Sequence, residues 1–340
     1  MSESKQLVSV RIVQKDFAGL ASLSGGQKGL FPWRHLFSRP EYMAVWLSSF
    51  PPKGEVYLAL IEENNQLIGI APLVIAGQKA SFVGHSSVCD YLDFSIVAGQ
   101  EPLFYQALLA DLDRRGVTLL DLRCLRPEST VLAVAKDIVE GRGGFFQLEP
   151  DGVAMEMDLP ESWDGYLALL PGKERHEIRR KLRRLEQSGP VNIRISGKTP
   201  ATEAELDRFF TMFRQSRSGD KSRFMDTAME SYFRLLIKDL GKIGLLKIYL
   251  LEIRGDIAAA SLCFAYQETM FLYNSCYDPA YKELSVGLLC NLFSIRDSIA
   301  IGHRRYDFLK GDEPYKRRLG GREVRLSRAR ITLGRGGGNS

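Results

Sequence analysis

The run YDFLKGDEPYKRRLGG, Tyr306 to Gly321, packs acids, a phenol and a cationic cluster into sixteen residues. Asp307 stands inside a short apolar strand pattern, so it must find a partner or line a cleft. Asp312 and Glu313 follow a glycine and precede Pro314, a turn composition in which acids are common for local reasons. Tyr315 adds a group able to hand over a proton, and Lys316, Arg317 and Arg318 add charge for an anionic substrate or for solvent. A second stretch, YKELSVGLLC, puts Lys282 just ahead of Ser285, Val286 and Gly287 where a helix begins. A helix start offers unpaired N–H groups to a phosphate, and a glycine there permits close approach; the simpler reading is a serine N-cap. A third, CDYLDF, holds Asp90 and Asp93. On a strand they would face opposite sides, so they are not a carboxylate pair, and Asp90 alone is a candidate base or substrate ligand. Cys276 has no histidine near it in sequence to activate it as a nucleophile.

The four histidines (His35, His85, His176, His303) form no HxH or HExxH, and the five cysteines no CxxC, so no protein-held metal is expected. The thiols read as reduced ones of a cytoplasmic protein. The start MSESKQLVSVRIVQ lacks the pattern of a secretory signal, and no apolar run reaches the roughly 20 residues of a membrane span. With 45% apolar and 26% charged residues the chain is globular in composition, and its 340 residues favour two domains. The net charge of +5 is matched by one segment alone, KERHEIRRKLRR at 173–184, which is either a solvated face or a surface for an anionic partner.

The elements that carry these residues alternate in type. Strand patterns cover 8–13, VYLALIEENNQLIGIAPLVIAG as a hairpin, VTLLDLRCL and GVAMEMDL, with helical spacing in EPLFYQALLADLDRRG and a serine-started helix at STVLAVAKDIVEGRG. A basic helix from Trp163 to Glu186 then opens a second series: VNIRIS, two amphipathic helices, three strands, the helix after Ser285, and strands at RRYDFLKG and REVRLSRARITL. Shifting the first hairpin by 190 positions lays Leu58, Leu60, Ile61, Glu62 and Leu67 on Ile248, Leu250, Leu251, Glu252 and Ile257. In each half a helix ends at a glycine, Gly116 or Gly302, and an aspartate, Asp121 or Asp307, follows on a strand. The ordered set reads as a tandem duplication of one α/β unit with its boundary near 155–162. Where the second half has Ser285 and Gly287, the first has Glu101 and Pro102, a repelling carboxylate and a residue without a donor. If one copy binds a phosphorylated ligand, it is therefore the second.

LKIYLLEIRGDIAAASLCF, YNSCYDPAY, LSVGLL and YDFLKGDEPYKRRLGG together resemble the GNAT-type acyltransferases, and within them the CelD-like subgroup of cellulose and exopolysaccharide biosynthesis proteins. That subgroup has two GNAT-like domains, as do the related Fem-type peptidyltransferases, and LALIEENNQLIGIAPL with CDYLDF extends the likeness into the first half. The resemblance implies an α/β fold of tandem GNAT-like domains with mixed, mostly antiparallel sheets flanked by helices. Domain bounds follow at 1–158, without cofactor, and 159–334, with the cofactor site, before a disordered tail at 335–340. It also implies acyl-CoA, acetyl-CoA first, as co-substrate in a splay between TMFLYNSCY and Arg305–Lys310. Ser275 and Cys276 would lie along the acyl-CoA, and Lys282, Ser285, Val286 and Gly287 would hold the pyrophosphate. Tyr315 would protonate the leaving thiolate, Asp307 and Asp90 would be the candidate bases, and Asp312, Lys316 and Arg317 would meet the substrate. LSVG carries one glycine where the superfamily has a basic or amide residue and two glycines. The acceptor implied is a sugar or another glycan precursor, with no DNA partner; the alternative is a Fem-like enzyme using aminoacyl-tRNA.

Overall fold

Continuous apolar runs, buried on both faces, make Glu55–Glu63 (β2) and Gln66–Ala76 (β3) the strands of a hairpin, and its turn residues Asn64 and Asn65 both take positive φ. Such turns match the twist of paired strands, and asparagine tolerates that backbone region. Leu246–Ile253 (β9) and Asp256–Tyr266 (β10) repeat the hairpin, with Arg254 and Gly255 at positive φ 190 residues on from the two asparagines. The computed structural model describes residues 8–12, 20, 31, 33–84, 87–196, 201–215 and 224–334. Val13 and the tail at 335–340 lie outside them.

The chain divides into two compact units, residues 1–152 with 325–340, and residues 153–324. The first contains β1 (Val8–Ile12), α1 (Pro40–Ser49), β2, β3, β4 (Lys79–Phe82), a short β5 (Ser95–Ile96), α2 (Glu101–Arg114), β6 (Leu119–Leu125) and α3 (Lys136–Gly141). The strand β7 (Phe145–Asp158) carries the chain into the second unit. There follow α4 (Trp163–Leu169), α5 (Gly172–Glu186), β8 (Val191–Ser196), α6 (Glu203–Gln215), α7 (Thr227–Lys242), β9, β10, β11 (Thr269–Tyr277), α8 (Val286–Ala300), β12 (Arg305–Lys310) and α9 (Pro314–Arg318). The last strand, β13 (Arg322–Thr332), returns to the first unit by pairing antiparallel with β6.

The two units share one strand plan. In the first, β1, β2, β3 and β4 pair antiparallel in turn and β4 pairs parallel with β6. In the second, β8, β9, β10 and β11 do the same and β11 pairs parallel with β12. The parallel registers correspond residue for residue, Lys79 to Leu119 against Thr269 to Arg305. This is the tandem GNAT-like fold: mostly antiparallel mixed sheets flanked by helices. Where the duplication read from sequence put the final strand in the second half, β13 takes its place beside β6, and β7 takes the matching place beside β12.

Period two puts Tyr249, Leu251 and Ile253 of β9 on one face, in a core with Tyr166, Leu185, Leu289, Cys290 and Ile295 from α4, α5 and α8. The other face meets α6 and α7, where Phe233 stacks on Tyr273 with ring centroids 5.5 Å apart. The expected single basic helix is two. Leu170 is extended at ψ 145 and Pro171 follows, and the residue before a proline is pushed out of the helical region. CDYLDF is not a strand either: residues 89–94 are irregular. The buried Asp93 carboxylate takes the N–H groups of Phe94 and Thr130, at 2.8 and 3.1 Å, in place of a ladder partner. Burial raises Asp93 to about 6 even against those donors.

Candidate active site

β11 and β12 are hydrogen-bonded over three residue pairs only, ending at Phe271 and Asp307. β11 then continues to Tyr277 and β12 to Lys310 with no further shared register, so the two strands part. A register shift against β10 leaves Tyr273 between the partnered residues Leu272 and Asn274. Such a bulge re-aims the following side chains and bends the strand away from its neighbour. On the far side of the opening, Leu309 at φ 61 and Gly311 at φ 107 turn the end of β12 out of the ladder. Asn274 to Cys276 therefore present their outer backbone edge to the opening, and this is the edge from which N–H groups could stabilise an oxyanion. Ser275 lies opposite Ser261 of β10. The buried Cys276 directs its thiol to the Phe209 carbonyl at 3.5 Å, so only its backbone is turned to the splay.

α8 begins at the inner end of this opening. Ser285 is left-handed, φ 57 and ψ 35, and its hydroxyl makes no capping bond to the helix. The hydroxyl accepts instead from Lys181 Nζ at 2.6 Å. The helix start is thus left with N–H groups that no side chain of Ser285 covers, beside a lysine from α5. Val286 is fully buried and Lys282 is exposed on the 3-10 turn Pro279–Leu284. A Cβ at Gly287 would lie 3.1 Å from the Tyr277 ring, so packing against that ring already favours glycine here.

The GDEPYK turn is organised from within. Lys316 is buried, and its ammonium donates to the carbonyls of Leu309, Lys310 and Gly311 at 3.1, 2.7 and 3.2 Å and pairs with Glu313 at 3.0 Å. That occupies an ammonium's three protons, and the substrate role expected for Lys316 is corrected to a structural one. Asp307 is buried as well, and its carboxylate accepts from the Leu309 N–H at 2.7 Å, which fixes the turn out of β12. Arg317 is exposed in an ion pair with Glu323 at 3.0 Å, and Asp312 is exposed. Tyr315 is half-buried at the start of α9, packed on the core and close enough to Tyr306 to raise that phenol electrostatically. Burial is the larger cause of the upward shift of Tyr306, whose hydroxyl meets Ser294 at 2.6 Å. The geometry therefore gathers Tyr315, Lys316, Asp307 and the strand ends of the splay in the second unit. Asp90 belongs to the first unit, half-buried between Cys89 and Tyr91. Tyr91 carries the Arg126 guanidinium over its ring at 4.7 Å.

Residues 172–317 match the model of an acetyltransferase (GNAT) domain. The chain carries a GNAT domain and is an acyltransferase. That domain spans α5 to α9 and so contains the splay, the open start of α8 and the Lys316 turn. No curated protein sequence matches the chain. Among solved structures, FemX superposes with a TM-score of 0.61 at 11% identity, over 94% of this chain and 96% of that one. A conserved protein of unknown function from Bacteroides thetaiotaomicron gives 0.60 at 11% identity, over 96% and 100%. The C-terminal domain of a putative lysylphosphatidylglycerol synthetase from Agrobacterium fabrum gives 0.56 at 10% identity, over 86% of each. These likenesses are likenesses of fold. Among the described residues, no helix is long and apolar enough to cross a membrane, and no group of three or more His, Cys, Asp and Glu could hold a metal ion.

The residue that sequence reasoning missed is Lys181. It was visible only as one of seven Lys and Arg among the twelve residues 173–184, and nothing local marks it as the one that reaches Ser285, 104 residues away.

Proposed function

We propose that the protein moves an acyl group, acetyl first, from a coenzyme A thioester to an amine or hydroxyl of a polar acceptor of the sugar or glycan-precursor class, by direct transfer. The observation that carries this reading is the parting of β11 and β12 beside the uncapped start of α8. A pantetheine arm would lie in the opening, and the diphosphate would meet the helix start. The acceptor attacks the thioester carbonyl, and the oxyanion draws on backbone N–H groups of Asn274–Cys276. As the carbon–sulfur bond breaks, the thiolate takes the Tyr315 proton; a phenol near ~10 and a thiol near ~8.5 are close enough for that transfer. The acceptor's own proton leaves to water or to a carboxylate. Holding both reactants together supplies up to roughly 7–11 kcal/mol of the barrier.

Titration calorimetry with CoA, acetyl-CoA and a longer acyl-CoA tests the reading: all three bind, and absence of heat at millimolar ligand overturns it. The full-length likeness to FemX favours a second reading, transfer of an aminoacyl group from tRNA to a cell-wall precursor. Under that reading aminoacyl-tRNA binds and CoA does not.

A further inference from the structure

Between α5, the start of α8 and α9 lies a cavity of about 460 Å³. Lys173, His176 and Lys181 reach its wall from α5, and Arg318 from α9, with Leu288 and Leu319 as its apolar floor. Two acids also face it, Glu174 and Glu177, and Glu177 is neutralised by ion pairs to Arg180 and Lys181 at 2.8 and 3.2 Å. Its size falls in the range of small-molecule sites, roughly 300–1,000 Å³. The apolar side of α5, through Ile178 and Leu185, is buried in the core, which fixes the helix and aims Lys181 inward while Arg184 stays exposed. Lys181 is the link between this cavity and α8, through its 2.6 Å bond to the Ser285 hydroxyl.

We infer that this cavity takes the phosphorylated nucleotide end of the co-substrate, with Lys181 as the cation that the one-glycine loop before α8 does not itself supply. This rests on the acyl-CoA reading above. The Ser285 hydroxyl holds Lys181 in place, half-buried, beside the helix start. A diphosphate oxygen entering there gains a charge-assisted bond from an ammonium whose position is already set. Arg318 and Lys173, at the cavity wall, are placed for the outer phosphate on the ribose. The basic helix then has two kinds of cation: Lys181 and Lys173 on the ligand side, and the outward arginines such as Arg184 in solvent.

The test is calorimetry of the full chain and of Lys181→Met, Lys181→Arg and Arg184→Met with CoA, 3′-dephospho-CoA, pantetheine and inorganic pyrophosphate. Lys181→Met weakens CoA and pyrophosphate by roughly tenfold or more, the loss of one hydrogen bond to a charged group. It leaves pantetheine unchanged. Lys181→Arg restores part of the loss, and Arg184→Met behaves as wild type. The salt dependence of CoA affinity is shallower in Lys181→Met. Equal CoA affinity in Lys181→Met and wild type overturns the inference while the acyl-CoA reading stands. Wild type that binds pyrophosphate but not CoA ends the acyl-CoA reading and keeps the anion site. Wild type that binds neither overturns both.

Discussion

At the residue scale, the densest chemical run in the chain holds two neighbours with opposite duties. Tyr315 stands half-buried at a helix start, while Lys316 is sunk beneath three carbonyls. Tyr315→Phe removes the proton donor and keeps the ring. Thiol release from acetyl-CoA with a panel of amino sugars should fall about 10- to 1,000-fold, with CoA affinity within twofold of wild type. Turnover at the wild-type level removes Tyr315 from the chemistry. Lys316→Met strips the carbonyls of Leu309 to Gly311 of their shared donor and removes the ammonium that pairs with Glu313. It should cost on the order of 2–4 kcal/mol in urea unfolding. A variant as stable as wild type would mean that water satisfies those carbonyls equally well. Composition showed that this run mattered but not how it divides: KRR reads as one cationic patch, and only the left-handed turn at Leu309 and Gly311 tips the first lysine inward.

At the element scale, the repeated aspartate shows how far the sequence carries. The shift of 190 in the hairpins, and the Asp121–Asp307 correspondence in the strands after the long helices, are real structural equivalences. The duties of the two aspartates differ, because a strand distant in sequence supplies the cation for Asp121 while Asp307 bonds within its own turn. Asp307 turns onto its own backbone, whereas Asp121 accepts Arg328 of β13 at 2.6 and 2.8 Å and pairs with Lys79 at 2.5 Å. Burial of Asp121 raises its pKa, but these two cations outweigh it and hold the group at about 2 against 3.8 in the unfolded chain. With the folded value depressed, the stabilisation is full above about pH 4 and is lost as pH falls towards 2. Asp121→Asn should therefore lower the urea midpoint at pH 7 and flatten its fall between about pH 4 and 2. An unchanged acid profile would show that the pair adds nothing to folding. The break between α4 and α5 was legible in principle, since Pro171 was on view; the cation-rich run beyond it drew the helix boundary too early.

At the scale of the whole molecule, duplication was legible and the exchange of strands was not. Both copies end their strand series with a parallel partner pair, β4 with β6 and β11 with β12, which hairpin patterns and glycine stops foretell. What no local pattern states is that each copy receives its next strand from elsewhere in the chain: β12 pairs with residues 154–158 of β7, and β6 with residues 327–332 of β13. Antiparallel pairing needs only a complementary edge, and two homologous edges are near-equivalent, so propensity cannot choose between them. The consequence is a stability coupling that runs against chain order. A variant ending after Gly321 loses the last strand in sequence, yet the strands it strips of a neighbour are β6 and β7, and with it goes the Arg328 partner of Asp121. Native-state hydrogen exchange should then show protection falling in residues 119–125 and in β4, while β11 and β12 keep theirs, because β7 still pairs with β12. Binding of CoA, which needs the second unit's splay and helix start, should survive the truncation at reduced overall stability. Loss of protection confined to β11 and β12 would refute the exchange, since it would mean that the final strand belongs to the unit that precedes it in the chain.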